Sequence, residues 1–212
     1  MHIYSGFLNM HAIAARPDHD RLFETAEGQQ GYFTAAQAVE SGFARSTHTY
    51  HVQAGNWVRE HRGIYRLRRF PQSADGQLVL WSLWARDRHG IPQGVYSHLT
   101  ALSIKDLSDA NPPKLHMTVP PHFRRGSGPP AVLILHKALL LPDEILHERG
   151  YAVTIPLRAI LDVVRSGDAS RDLVQQALAE GRARGLITYR QVTATLQKPN
   201  LEPWLREALQ AA

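Results

Sequence analysis

The 212-residue chain predicts an α+β fold in two parts: three short helices and a two-stranded ribbon, then a mixed α/β domain that ends in helices. Three observations carry that expectation. Helical spacing recurs in three segments before Gly55, alternating apolar and charged residues follow on both sides of Gly63, and a cluster of turn formers at residues 71–76 separates this region from one of different texture. The expected boundary divides residues 1–72, an N-terminal extension and the helix-and-ribbon domain, from residues 73–212. An apolar content of 43% supplies a core for each part.

In "RPDHDRLFETAEGQQG", Pro17, Asp18 and Asp20 suit a first helical turn, Leu22, Phe23 and Ala26 keep helical spacing, and Gly28 and Gly31 stop the run. "TAAQAVESG" follows as a second helix, with Thr34 and Gln37 in capping-box spacing and Gly42 just past its end. The segment between Gly42 and Gly55 is long enough for a third helix of about three turns. "NWVRE" and "GIYRL" then read as two strands joined at a tight connection for which Gly63 provides a positive φ. Three short helices and a ribbon are the layout of a winged helix-turn-helix, whose third helix enters the major groove while the wing lies along the backbone or minor groove.

Beyond the linker, "QLVLWSLWARDR" is helical, "GVYSHLTALSI" reads as a short strand running into a helix capped near Ser97, and "KLHMTVP" alternates Leu115, Met117 and Val119. "AVLILHKA" reads as a more fully buried strand. The C-terminal part is helical in "PLRAILDVVRSG", "SRDLVQQALAEGRARG", "TYRQVTATLQ" and "LEPWLREAL", and the third of these opens on a second capping box, Thr188 with Gln191.

Formal net charge is +5, and residues 41–70 hold Arg45, Arg59, Arg62, Arg66, Arg68 and Arg69 against Glu60, a local excess that equals that of the whole chain. Alternation places Tyr65 and Leu67 on one side of the second ribbon strand and Arg66 and Arg68 on the other, so the apolar side anchors the ribbon and the basic side meets phosphate. On the third helix Arg45, Ser46, Thr49, Tyr50 and Gln53 share a face, and with Thr47 they complete the expected DNA-binding set. About five phosphate contacts would give a log-log salt slope of roughly −4 to −5. His48 and His51 fall toward the opposite face as packing residues.

Other chemistries find less support. The chain has no cysteine, no His-Glu-x-x-His, no Gly-x-Ser-x-Gly and no Walker loop, so no catalytic residue, metal site or cofactor is expected. A nuclease reading would rest on Lys105, Asp106, Asp109 and Lys114, a group more simply explained as a polar turn. "FRRG", with Arg124 and Arg125, is a small basic patch read as solvated rather than DNA-bound. The opening residues make a poor signal peptide, and no run reaches the roughly 18 apolar residues of a membrane helix; a cytoplasmic location is expected. The alternative to a plain regulator is a one-component regulator whose second domain senses a small molecule.

"GYFTAAQAVESGF" followed by "GNWVREHRGIYRL", with Gly63, Ile64 and Tyr65 closing the wing, resembles the N-terminal domain of the AbiEi-type antitoxins, the regulator half of type IV toxin–antitoxin systems used in phage defence. "YSHLTALSIKDLSDANPPKLHMTVPPHFR" and "TIPLRAILDVV" are similar to that family's second domain, so the resemblance runs from about Gly31 to the C-terminus. Ala44, His48 and Ile160 depart from its usual residues. The resemblance implies a repressor that binds inverted repeats upstream of its own operon and opposes a nucleotidyltransferase-like toxin without a stable complex. Paired half-sites about one helical turn apart would place two protomers on DNA without requiring a dimer in solution.

Overall fold

The computed structural model describes residues 16–126 and 128–211; the expected N-terminal extension, with the opening stretch read as a poor signal peptide, lies outside the described residues up to residue 15. The chain divides into two compact units, Met1–Leu80 and Trp81–Ala212, and it is an α+β protein.

In the first unit Asp18 caps α1 (His19–Glu27) by accepting the Arg21 N–H at 2.9 Å, which turns Leu22 and Ala26 inward. The chain then forms a strand that the sequence reading did not anticipate, β1 (Tyr32–Thr34). Thr34 ends this strand and caps α2 (Ala35–Glu40), with the reciprocal Gln37 bonds of the expected capping box.

The expected three-turn third helix is instead a 3-10 turn, Arg45–Thr47, followed by the six-residue α3 (His48–Gln53). Ala44 has no side-chain acceptor for the first turn, and the Thr47 hydroxyl donates back to the Ala44 carbonyl at 2.8 Å, which tightens it. The ribbon is β2 (Trp57–His61) and β3 (Ile64–Leu67), turning at Gly63 with φ +73°. β1 adds to its other edge, so the antiparallel sheet has the order β1-β3-β2. The core beneath it is Leu22, Ala26, Phe33, Ala38, Phe43 and Trp57, with Val52, Tyr65 and Leu67 packed against it.

Helix α4 (Gly76–Trp84) contains the division between the units. The second unit is built on a five-stranded sheet of order β6-β5-β4-β8-β7, from β4 (Val95–Tyr96), β5 (Leu115–Val119), β6 (Leu133–Lys137), β7 (Ile145–Glu148) and β8 (Tyr151–Thr154). β5 pairs with β6 and β4 with β8 in parallel, and the remaining pairs are antiparallel. The β7–β8 hairpin, turning at Gly150 with φ +93°, is a further feature the sequence reading missed. The expected buried strand at β6 is corrected: it is the sheet edge, and only Leu133 along it is buried, because one side has no neighbour to cover it.

Helix α5 (His98–Ile104) follows β4, and α6 (Pro156–Ser166), α7 (Arg171–Ala183), α8 (Tyr189–Leu196) and α9 (Pro203–Ala211) form the helical end. Thr188 and Gln191 make the expected capping box on α8. Ser97 occupies the N-cap position of α5, yet its hydroxyl makes no cap bond, being engaged with His98 and Thr118.

Candidate nucleic-acid interface

Trp57 fixes α3 to the ribbon. Its ring meets those of Phe33, Phe43, His48, His51 and Tyr65, all with centroids within 5.6 Å, and it is 3% exposed. His48 is buried as a packing residue, with Nε2 3.1 Å from the Phe43 carbonyl. His51 stacks on Trp57 at 4.5 Å, and burial, followed by the neighbouring His19 and His48, holds its pKa below the usual histidine value. Both imidazoles therefore serve the joint.

The polar side of this segment points outward. Arg45, Ser46, Thr47, Thr49, Tyr50 and Gln53 are all exposed, and so are Arg59, Arg62, Arg68 and Arg69. None of these five arginines has a carboxylate partner among the described residues. A solvated guanidinium with no internal partner retains its full charge and its fork of donors for a phosphate.

Arg66 is a correction. It lies on the side of β3 opposite Tyr65 and Leu67, as alternation requires, but that side is not open. Its Nε donates to Glu60 Oε1 at 2.8 Å, its guanidinium stands 6.0 Å from the Tyr32 ring centroid, and only 7% of the residue is exposed. Strand β1 pairs Tyr32 with Arg66 and places Tyr32 on the same side, and the charge of Arg66 is consumed within the fold. Burial and the Glu60 carboxylate raise the Tyr32 pKa above the usual phenol value.

The other polar groups considered in the sequence are dispersed. Lys105 pairs with Glu148, and the carbonyls of Lys105 and Asp106 accept from Arg184 at 2.8 and 3.1 Å. Asp109 and Lys114 are exposed. Arg125 donates to the Trp84 carbonyl and lies over the Trp84 ring, while Arg124 is exposed. Among the described residues the one cluster of three histidine, aspartate or glutamate donors suited to a metal is His98, His116 and His136, which the sequence reading did not connect.

A capped helix pair, an exposed polar helix face and a basic ribbon are fastened together by one tryptophan. Residues 20–68 match the family described as "Transcriptional regulator, AbiEi antitoxin". The AbiEi match agrees with the resemblance read for the N-terminal domain; it runs from the second residue of α1 through β3, includes Arg45, Arg59, Arg62 and Arg68, and does not extend to the second-domain segments. No curated protein matches the chain. No helix among the described residues is long and apolar enough to cross a membrane.

Proposed function

We propose that the chain is a sequence-specific DNA-binding repressor and the antitoxin of a type IV, AbiE-like system, binding inverted repeats upstream of its own operon. The observation that carries this reading is the helix-and-wing segment, whose five exposed arginines have no carboxylate partner among the described residues and of which four, all but Arg69, lie within the AbiEi match. The 3-10 turn and α3 present Arg45, Ser46, Thr47, Thr49, Tyr50 and Gln53 to base edges and nearby phosphates. Arg59, Arg62, Arg68 and Arg69 hold the flanking backbone. The second unit opposes a nucleotidyltransferase-like toxin encoded nearby, without a stable complex.

The test is fluorescence-anisotropy titration of the full chain on its upstream duplex across a salt series. Five phosphate contacts give a log-log slope of about −4 to −5, and the variant R59A/R62A/R68A reduces it to about −2 on every duplex. R45A, Y50A and Q53A change the preference between operator and scrambled duplex instead. Wild-type affinity and slope in the triple variant would remove the wing from the interface. Co-expression with the product of an adjacent nucleotidyltransferase reading frame tests the antitoxin role, and growth arrest unrelieved by the chain would refute it.

A further inference from the structure

We propose that His98, His116 and His136 form a binding site for a divalent transition metal of the Zn²⁺ class, with three imidazole ligands from the protein and a fourth position open. One ligand atom from each residue lies within 4.8 Å of the others. His116 Nδ1 and His136 Nε2 are 3.1 Å apart, close to the roughly 3.3 Å between two donors that share a tetrahedral ion at 2.0–2.1 Å. The rings of His98 and His136 stack with centroids 3.6 Å apart.

The sheet builds this convergence. β5 and β6 run parallel with Thr118 opposite His136 and His116 opposite Ile134, so His116 and His136 lie diagonally on one face. Ser97 reaches the same place from the end of β4, where its N–H donates to the His116 carbonyl at 3.1 Å. His98 follows with φ +53°, a left-handed conformation uncommon for a non-glycine residue, and its ring stacks on that of His136.

The surroundings fit a cation. Ser97 Oγ accepts from the Thr118 hydroxyl at 2.8 Å and lies 2.9 Å from His98 Nδ1. When Nδ1–H donates to that oxygen, His98 Nε2 is left bare for a metal, the tautomer selection usual at imidazole sites. Thr154 Oγ1, one residue after the Val153 that pairs with Tyr96, is buried with no hydrogen-bond partner, a polar atom that the folded chain itself does not satisfy. Burial is the largest influence on all three imidazoles and disfavours their charged form, with the neighbouring imidazoles adding to it at His98 and His116. The Asp168 carboxylate acts on all three rings in the opposite sense, favouring positive charge among them, while Arg158 is already held by Glu144 and Asp162.

Three imidazoles with no thiolate or clustered carboxylate suit Zn²⁺, Co²⁺ or Ni²⁺ over Mg²⁺ or Ca²⁺. The test is titration of the chelator-stripped full chain with Co²⁺, then Zn²⁺. One equivalent of Co²⁺ per chain gives the visible absorption of a four-coordinate site, Zn²⁺ displaces it, and Zn²⁺ raises the melting temperature. H116Q and H136Q weaken Co²⁺ binding by about 100-fold or more, beyond the 10–100-fold lost when only a ligand's supporting bond is removed. H147Q, at an exposed histidine on β7, binds as wild type. Histidine ¹⁵N spectra of the wild-type chain show three imidazoles shifting with Zn²⁺, a readout that needs no variant to fold. Absence of Co²⁺ absorption and of any Zn²⁺-induced shift in the wild type, or binding by folded H116Q and H136Q equal to wild type, overturns the site.

Discussion

Arg66 and Arg68 stand two positions apart, yet Arg66 is bonded to Glu60 and covered while Arg68 is exposed. The difference comes from β1, which pairs Tyr32 against Arg66 and ends before Arg68. R66A therefore leaves the half-buried Glu60 carboxylate without its partner; since Glu60 retains 24% exposure, solvent recovers part of the loss, and the cost is about 1–3 kcal/mol rather than the 3–5 of a fully buried pair. R68A costs within about 0.5 kcal/mol. Urea denaturation followed by tryptophan fluorescence separates the two, and the DNA affinity of the folded protein moves in the opposite order, falling for R68A and holding for R66A. An R66A variant as stable as wild type but deficient in DNA binding would restore Arg66 to the interface. Alternation in "GIYRL" told correctly which side Arg66 occupies; that the side is covered depends on a strand contributed from residues 32–34 and is not visible locally.

At the scale of elements, features that close within a few residues were legible and features that need a distant partner were not. The capping boxes at Thr34 and Thr188 formed as read, because each involves only two side chains and backbone groups three residues apart. β1, β7 and β8 have only three or four residues each, too few for a periodic signal, and exist through pairing across the sheet. The same reasoning explains why the three histidines escaped notice, since adjacent parallel strands bring together residues with no characteristic spacing in sequence. Gly31 marks the joint between α1 and β1: its φ is +90°, its N–H donates to the Ala26 carbonyl at 2.7 Å, and a Cβ there would lie 2.6 Å from the Phe70 ring. G31A combines left-handed strain with a steric clash and destabilises by about 2–4 kcal/mol, whereas G63A, where nothing lies within 4 Å, carries the strain alone at about 1 kcal/mol. Thermal and urea melts check the order, and equal costs would mean that Phe70 moves aside freely.

At the scale of the whole molecule, charge is polarised within the first unit. Between residues 16 and 40, Arg16 and Arg21 face Asp18, Asp20, Glu24, Glu27 and Glu40, a balance of −3; from 41 to 80, six arginines face Glu60 and Asp75, a balance of +4. An acidic α1–α2 segment beside a basic helix and wing orients the unit on approach to a polyanion, because the acidic portion is repelled while the basic one is drawn in. The second unit carries +4 in total, from sixteen basic and twelve acidic residues, so net charge alone does not decide which unit meets DNA. A fragment of residues 1–80 decides it. If the phosphate contacts come from the helix and wing, the fragment binds duplex with a salt slope within about 1 of the full chain's −4 to −5, even where its affinity is lower. Circular dichroism and Trp57 emission establish that the fragment is folded before anisotropy is read. A folded fragment with a slope near zero, beside a full chain that keeps its steep salt dependence, would transfer the phosphate contacts to residues 81–212 and leave the exposed arginines of the wing as solvated surface.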